Sequence, residues 1–191
     1  MLNGISTTFP DTEAIIDNGK VNNMSPEDVM KIINLKQAWE FILDKDVILS
    51  PTNYYLSQYI AKLINEGLFY EGGRIRQIPV NIGGSTYKPP LPIENVVKEK
   101  INDIINASFD DIDKAIELTL FIMKAQAFID GNKRTAIIFA NHYLISKGKG
   151  LLVVPFELVP EFKKLLIAYY EEYDIESIKL FLKERCWRKL R

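Results

Sequence analysis

The stretch from residue 118 to residue 145, LTLFIMKAQAFIDGNKRTAIIFANHYLI, decides how the rest of the chain is arranged. Residues 118–129 and 136–145 are almost entirely apolar, and helices that are apolar on nearly every side are buried in the centre of a domain. A polar turn, residues 130–134, separates them. Because its backbone groups need partners, the turn must end at a surface or line a cleft. The sequence therefore predicts two central helices joined by a loop.

The segments before and after this pair also have helical patterns. Ser25 followed by Pro26 is typical of a helix start, and apolar residues at spacings near three and four continue to about Asp44. Further helix starts are predicted near Ser50, Pro92, Asp110 and Pro160.

Between residues 67 and 92 glycine and proline are frequent, and the helical pattern is lost. The alternating residues 78–82 lead into a glycine turn, which predicts a small β-hairpin. Its tip consists of Ile82, Gly83, Gly84, Ser85 and Thr86. We therefore expect a mainly α fold, a helical bundle around the two buried central helices with one short β-hairpin.

Length and composition indicate one ordinary globular domain. The chain has 191 residues, of which 47% are hydrophobic and 26% charged. We expect a loop-rich arm over residues 1–25 and a single domain over residues 26–191. With one cysteine and one histidine, the chain has no internal disulfide and no ligand spacing for zinc.

Charge and hydropathy bear on partners and location. The formal net charge is −1, so no global field attracts the protein to nucleic acid or to an anionic membrane. Residues 135–146 are apolar but too short to span a bilayer, and residues 1–3 lack the basic start of a signal peptide. We expect a cytoplasmic protein with neither a nucleic-acid nor a membrane partner.

The polar turn has two interpretations. In the first, Gly131 ends one helix and Asn132 caps the next, which explains both residues without any ligand. In the second, the free N–H groups and positive dipole end of the new helix hold a phosphate, beside Lys133 and Arg134. Asp130 would then bind Mg²⁺ carried by a nucleotide, because magnesium takes one or two carboxylates together with phosphate oxygens.

A resemblance favours the second interpretation. Residues 126–136, QAFIDGNKRTA, resemble the signature of the Fic family, H-x-F-x-[D/E]-G-N-[G/K]-R, at every fixed position but the first. The similarity covers roughly residues 27–187. It includes a flap-like stretch over residues 72–90 before the signature, and Asn141, Gly148, Tyr169, Tyr170 and Phe181 after it.

The resemblance implies an activity and assigns roles. Fic proteins typically transfer AMP from ATP to a hydroxyl side chain of a target protein, so the implied ligands are ATP and Mg²⁺. By position, Asp130 would hold the metal and Arg134 would contact the outer phosphates. The anion hole would be formed by the backbone of Gly131, Asn132 and Lys133. The hairpin tip, residues 82–86, would hold the target segment by strand addition. Whether the protein forms a homo-oligomer stays open.

Gln126 is the departure from the signature, which has a catalytic histidine at this position. An amide cannot take the proton of the acceptor hydroxyl, and the loss of a general base slows transfer by roughly 10²–10⁴-fold. His142 is no substitute, because it lies about 12 Å further along the same helix than Arg134; we expect it to make a polar contact in the core.

Three explanations of Gln126 are open: a pseudoenzyme, an active site with a different base, or an engineered substitution. Two other functions also remain, a non-catalytic module that binds proteins through the flap groove and a relative that transfers another phosphate-containing group. Many Fic proteins carry an inhibitory helix, and residues 13–18 resemble its motif only faintly. Asp17 is the residue that would contact Arg134, although Asp17 also begins a strong turn sequence.

Overall fold

The structure, a computed structural model, describes residues 24–189. Asp17, and with it the predicted inhibitory contact, lies outside the described residues. The helices are α1 (Pro26–Leu43), α2 (Lys45–Ile48), α3 (Tyr54–Ile64), α4 (Glu94–Asn106), α5 (Asp111–Ala125), α6 (Asn132–Ser146), α7 (Val159–Tyr170) and α8 (Glu176–Phe181). The strands are β1 (Leu151–Leu152) and β2 (Trp187–Arg188), which pair antiparallel. The predicted mainly α fold is confirmed.

Helices α5 and α6 form the centre of the fold and pack most extensively against each other. Helix α6 also packs against α1, α3 and β1, so that most of its side chains are buried. Both apolar runs of the sequence therefore serve the same core. The site between these helices consequently rests on the most buried part of the protein.

Short polar side chains begin several helices as predicted. The Ser25 hydroxyl accepts from the Asp28 N–H at the start of α1, and the Asp110 carboxylate accepts from two N–H groups of α5. Helix α3 begins later than predicted, because Asn53 rather than Ser50 supplies its cap. Within residues 24–189, none of the helices has the length and apolar character needed to cross a membrane.

The caps predicted inside the polar turn are wrong. Helix α5 ends at Ala125 with Gln126 as its C-cap, and Gly131 precedes α6, of which Asn132 is the first residue. The turn is therefore the longer loop of residues 126–131, here called the signature loop. Its apolar members, Ala127 and Phe128, look helical in sequence but are held in a loop by the Arg76 N–H and the Asn132 side chain.

The predicted hairpin of residues 78–87 is only partly correct. Its turn is present, with the Ser85 N–H donating to the Ile82 carbonyl at 3.2 Å and Gly84 at φ 82°. No strand is present in residues 76–90, here called the flap segment. Within the described residues, the two-stranded sheet is instead the β1–β2 pair.

The flap segment has two arms, the incoming residues 76–81 before the tip and the outgoing residues 87–90 after it. The prolines in these arms explain why no strands form. Pro79 and Pro89 lack the N–H that a ladder needs, and proline inside a strand is confined to edges and bulges. The two arms are linked instead by one side chain, that of Arg76, which donates to carbonyls in both. The turn was readable from the sequence, whereas this replacement of the ladder was not.

The prediction for His142 is confirmed. Its Nδ1 lies 2.8 Å from the Thr52 hydroxyl and its Nε2 lies 2.8 Å from the Val47 carbonyl. Burial lowers the pKa of His142, and the bond to Val47 opposes this shift. The ring is therefore a neutral structural link between α6 and the α2 region.

Candidate functional site

The signature loop begins with an unusual backbone at Gln126. This residue has φ 46° and ψ 51°, in the left-handed region that few non-glycine residues adopt. Its N–H still donates to the Ile122 carbonyl at 3.2 Å, so it closes the last turn of α5. The left-handed residue turns the chain away from the helix axis and starts the loop.

Asn132 holds the middle of the signature loop. Its Oδ1 accepts from the Phe128 N–H at 2.9 Å, and its Nδ2 donates to the Phe128 carbonyl at 2.8 Å. Asn132 is 4% exposed and Phe128 is 1% exposed. One amide thus satisfies both backbone groups of a buried residue, which would otherwise cost free energy. Phe128 therefore anchors the loop in the core.

Gly131 ends the signature loop in a conformation that only glycine tolerates well. Its φ is 72°, and a Cβ built there would overlap Cγ2 of Ile64. The Gly131 carbonyl accepts from the Thr135 N–H at 2.8 Å and so begins α6. Because Gly131 has no side chain to cap the helix, the N–H groups of the first turn of α6 are left for another acceptor.

Arg134 is the third residue of α6, and its side chain is almost completely buried. Its side chain is 3% exposed, and its Nη2 donates to Oδ2 of Asp130 at 2.9 Å. Its Nε and Nη1 are buried without a hydrogen-bond partner among the described residues. Burial lowers the pKa of Arg134, while Asp130 opposes the shift. Buried polar groups are nearly always paired, so these two donors indicate a missing acceptor.

Positive charge is concentrated around the same helix end. Burial lowers the pKa of Lys133, the positive charge of Lys163 lowers it further, and Asp130 opposes both. Lys133 and Arg134 thus lie near one carboxylate, that of Asp130, and a third cation, Lys163, lies near Lys133. This excess of positive charge at a helix N-terminus favours an anion.

A small cavity of about 130 Å³ opens beside these groups. Its walls are mostly apolar, and its polar members are Lys133 and Arg134. The other lining residues are Leu35, Trp39, Met123, Ile137, Ile138, Val153, Val154 and Phe162. The guanidinium therefore sits at a low-polarity wall, where its interaction with an anion is strengthened.

Asp130 is the one carboxylate in the signature loop, and its side chain is 39% exposed. The described residues contain no group of three or more histidine, cysteine, aspartate or glutamate side chains that could hold a metal ion. A single carboxylate does fit Mg²⁺ that arrives with phosphate oxygens.

The side chain of Gln126 bonds to the helix on each side of the loop. Its Nε2 donates to the Met123 carbonyl at 2.7 Å, and its Oε1 accepts from Nδ2 of Asn132 at 3.3 Å. Both ends of the amide are thus engaged. The group has no basic lone pair, so it can orient the loop but cannot accept a proton at neutral pH.

The flap tip, residues 82–86, is held from the end of α7. Oε1 of Glu171 accepts from the Ser85 hydroxyl at 2.9 Å, from the Thr86 N–H at 2.7 Å and from the Thr86 hydroxyl at 2.9 Å. These bonds lower the pKa of Glu171, with the Thr86 N–H as the largest cause. Ile82 is 6% exposed, so the tip also has an apolar attachment.

Arg76 joins the base of the flap segment to the signature loop. Its Nε donates to the Gln126 carbonyl at 2.6 Å, and its Nη1 donates to the Ile78 carbonyl at 2.7 Å. Its Nη2 donates to the carbonyls of Pro90 at 2.6 Å and Pro89 at 3.2 Å.

Asn65, at the end of α3, holds the other end of the signature loop. Its Nδ2 donates to the Asp130 carbonyl at 3.1 Å, and also to the Gly72 carbonyl at 3.1 Å. Asn65 is completely buried. The loop is therefore held at both ends by side chains that lie far away in sequence.

The structure brings together the predicted residues Gln126, Asp130, Gly131, Asn132 and Arg134, with Lys133 beside them. The flap tip is anchored to Glu171 instead of to this loop. Sequence reasoning missed Asn65 and Glu171 as contributors to the site. An asparagine at a helix end and a glutamate in a charged run have ordinary local explanations, so no local signal pointed to them.

These elements define a mainly α-helical domain in which two central helices are joined by a glycine-containing loop at a helix N-terminus. Residues 54–144 match a family model described as the Fic/DOC family. This part of the chain is therefore similar to the Fic/DOC family. It spans α3 to most of α6 and so includes the flap segment and the signature loop.

Several solved structures share this fold. Fic-1 from C. elegans has a TM-score of 0.73 at 21% identity, with 95% of this chain and 55% of that chain covered. A Fic family protein from Desulfovibrio desulfuricans G20 has a TM-score of 0.74 at 16% identity, with 93% and 57% covered. A Fic domain containing signaling protein from Bacteroides thetaiotaomicron VPI-5482 has a TM-score of 0.68 at 16% identity, with 95% and 76% covered.

This chain thus spans just over half the length of the first two structures. At these identities the likeness concerns the fold alone. A search of curated proteins gave no significant sequence match.

Proposed function

We propose that this chain is a nucleotide-binding Fic domain that binds ATP with Mg²⁺ and is related by descent to protein adenylyltransferases, with slow or absent transfer. The observation that carries the proposal is the guanidinium of Arg134. It is 3% exposed, and its Nε and Nη1 have no partner among residues 24–189. Its position in the first turn of a helix without a side-chain cap supports a phosphate group as the missing acceptor.

The proposed binding assigns roles to Asp130 and to the first three residues of α6. The backbone N–H groups of Asn132 and Lys133 donate to phosphate oxygens, as helix N-termini do. Arg134 contacts the outer phosphates with the donors that are unpaired in the structure. Asp130 is the carboxylate available to Mg²⁺, which would neutralise charge on the phosphates.

The proposed transfer joins the acceptor hydroxyl oxygen to the α-phosphorus and releases pyrophosphate. The flap segment would place the acceptor by strand addition. The hydroxyl proton needs a base, and Gln126 supplies none. Its amide is instead engaged with Met123 and Asn132. These contacts support a loop that binds phosphate but has no base at residue 126 to take the hydroxyl proton.

A second candidate is a non-catalytic module that binds a partner protein. A mostly apolar groove of about 490 Å³ follows the outgoing arm of the flap segment, with Tyr87, Pro90 and Leu91 in its wall. Such a groove suits an apolar peptide. Nucleotide binding separates the two functions.

Calorimetry with ATP and Mg²⁺ tests the proposal directly. We expect binding to the wild type, and about 10- to 100-fold weaker binding to Arg134→Ala, because hydrogen bonds to charged groups contribute about 1.5–3 kcal/mol. Arg74→Ala is the matched control, because Arg74 is exposed and pairs with Glu71 at the surface. If the wild type does not bind ATP, the module hypothesis replaces the nucleotide hypothesis.

Labelled ATP with a lysate as acceptor tests the role of Gln126. We expect Gln126→His to raise labelling by roughly 10²–10⁴-fold, the usual contribution of a general base. Gln126→Asn is the control, because asparagine also tolerates a left-handed backbone but offers no base. Equal labelling by the wild type and Gln126→His would show that the base lies elsewhere.

A further inference from the structure

One buried arginine outside the signature loop connects the loop to the flap segment. Arg76 is 3% exposed, and its guanidinium donates four hydrogen bonds to main-chain carbonyls. The acceptors belong to three separate pieces of chain: Gln126 at the start of the signature loop, Ile78 in the incoming arm, and Pro89 with Pro90 in the outgoing arm. Three pieces of backbone thus meet at one guanidinium.

The charge of Arg76 is not balanced by an acid. Within residues 24–189 no carboxylate forms an ion pair with it, and burial lowers its pKa. A buried cation without a counterion is unfavourable unless its donors are well paired. The planar fork of arginine can serve several carbonyls at once, which lysine cannot do. The residue is therefore explained by the geometry it imposes and not by its charge.

The backbone of Arg76 reinforces the same connection. Its N–H donates to the Ala127 carbonyl at 3.0 Å, and Ile75 forms an isolated antiparallel bridge with Phe128. Backbone and side chain of one residue thus bond to consecutive carbonyls, those of Gln126 and Ala127. This double attachment sets both the distance and the register between the flap segment and residue 126.

We propose that Arg76 is a positioning residue that couples the flap segment to the signature loop. The flap segment, and any target segment bound to it, would then move together with residue 126. The proposal rests on the proposed function for its role in transfer, but the coupling itself is a property of the free protein. Since the arms of the flap segment form no ladder, the guanidinium is what links them. The opposite end of the flap segment is held separately by Glu171.

Hydrogen exchange in the free protein tests the coupling. In Arg76→Met we expect the amides of Ser85, Thr86 and Phe128 to exchange about tenfold faster or more, since several buried hydrogen bonds are lost together. In Arg76→Lys we expect an intermediate increase, because one ammonium cannot serve three pieces of chain. The Thr135 amide at the start of α6 should keep its wild-type rate.

The matched control is Arg74→Met, two residues away in the same segment. Arg74 is exposed and pairs with Glu71, so the same change of charge should leave the exchange of the flap segment and the signature loop unchanged. Wild-type exchange in Arg76→Met at Phe128, or full protection in Arg76→Lys, would overturn the proposal. The lysine variant also serves if the methionine variant does not fold.

Addition of ATP and Mg²⁺ separates this inference from the proposed function. We expect nucleotide to slow exchange at Phe128 and, through Arg76, at Ser85 and Thr86; in Arg76→Lys the second effect should be lost. No protection anywhere in the wild type would contradict the nucleotide function, while the exchange rates of the free protein would still decide the coupling. Equal protection of Ser85 and Thr86 in both proteins would contradict the coupling alone.

Discussion

In the signature loop the side chains that hold the backbone are buried, whereas the tip of the flap segment is held by a carboxylate on the surface. Asn65 and Asn132 bond to the loop from inside the core. Glu171 bonds to Ser85 and Thr86 where water competes. The difference teaches that the anion-binding end of the site is preorganised, while the end that would receive a partner is adjustable.

The largest loss of stability should come from Gly131→Ala, because this change lies in the signature loop, the more rigid of the two regions. The new Cβ would overlap Ile64 and the residue would be forced to keep φ 72°. We expect the free energy of unfolding to fall by roughly 2–4 kcal/mol, from backbone strain and overpacking together. Chemical denaturation followed by circular dichroism measures it.

Gly83→Ala in the flap tip is the control for that experiment. A Cβ at Gly83 meets no atom within 4 Å. The free energy of unfolding should therefore stay close to that of the wild type. Equal losses in the two variants would mean that the loop is no more constrained than the flap tip.

A smaller loss is expected for Asn132→Ala. The change leaves the buried N–H of Phe128 without an acceptor, which costs about 1–3 kcal/mol of stability. ATP affinity should fall as well, because the loop is no longer held. Denaturation and calorimetry on the same preparation give both quantities.

Asn141→Ala is the control for Asn132→Ala, because Asn141 is another buried asparagine on the same helix. Asn141 accepts from the Leu152 N–H and donates to the carbonyls of Ile137 and Leu152, far from the signature loop. We expect a similar loss of stability with unchanged ATP affinity. If both variants lose affinity equally, Asn132 acts through global stability and not through the loop.

The smallest effect on stability, and the clearest on the flap segment, should come from the protonation of Glu171. Its pKa is lowered in the folded protein, so its bonds to the flap tip are fully present above the ordinary pKa of a glutamate. They are lost as the pH falls through the lowered value. Exchange-sensitive NMR signals of Ser85 and Thr86 should therefore change at acidic pH, while those of Thr135 in α6 should not.

Glu171→Gln should reproduce the acidic state at neutral pH. Glu172→Gln is its control, because the neighbouring Glu172 pairs with Lys124 and makes no bond to the flap tip. A pH-dependent change that persists in Glu171→Gln would assign the titration to another group.

The sequence predicted the fold best where the signals are local. Ser25 and Asp110 start helices with their own side chains, and the two apolar runs correctly indicated the buried pair α5 and α6. The end of α5 was misplaced, because residues 127–129 are apolar and their loop conformation depends on the later residue Asn132.

The parts of the site that were not predictable depend on long-range hydrogen bonds. Arg76 lies in the flap-like stretch of the sequence, but three of the carbonyls that accept from its side chain, those of Pro89, Pro90 and Gln126, lie 13, 14 and 50 residues away. Glu171 lies 85 residues from Thr86 in the chain. Such pairs leave no periodicity or spacing in the sequence, so the missing ladder of the flap segment could not be anticipated.

The left-handed backbone at Gln126 has a consequence for how this position can change over generations. Few non-glycine residues are frequent in that conformation, and histidine is one of them. Codons for glutamine and histidine differ only in their last base, so one point mutation exchanges an amide for an imidazole while the backbone keeps φ 46°. The fold therefore leaves a single-step mutational route between a residue 126 that cannot titrate and a residue 126 that can.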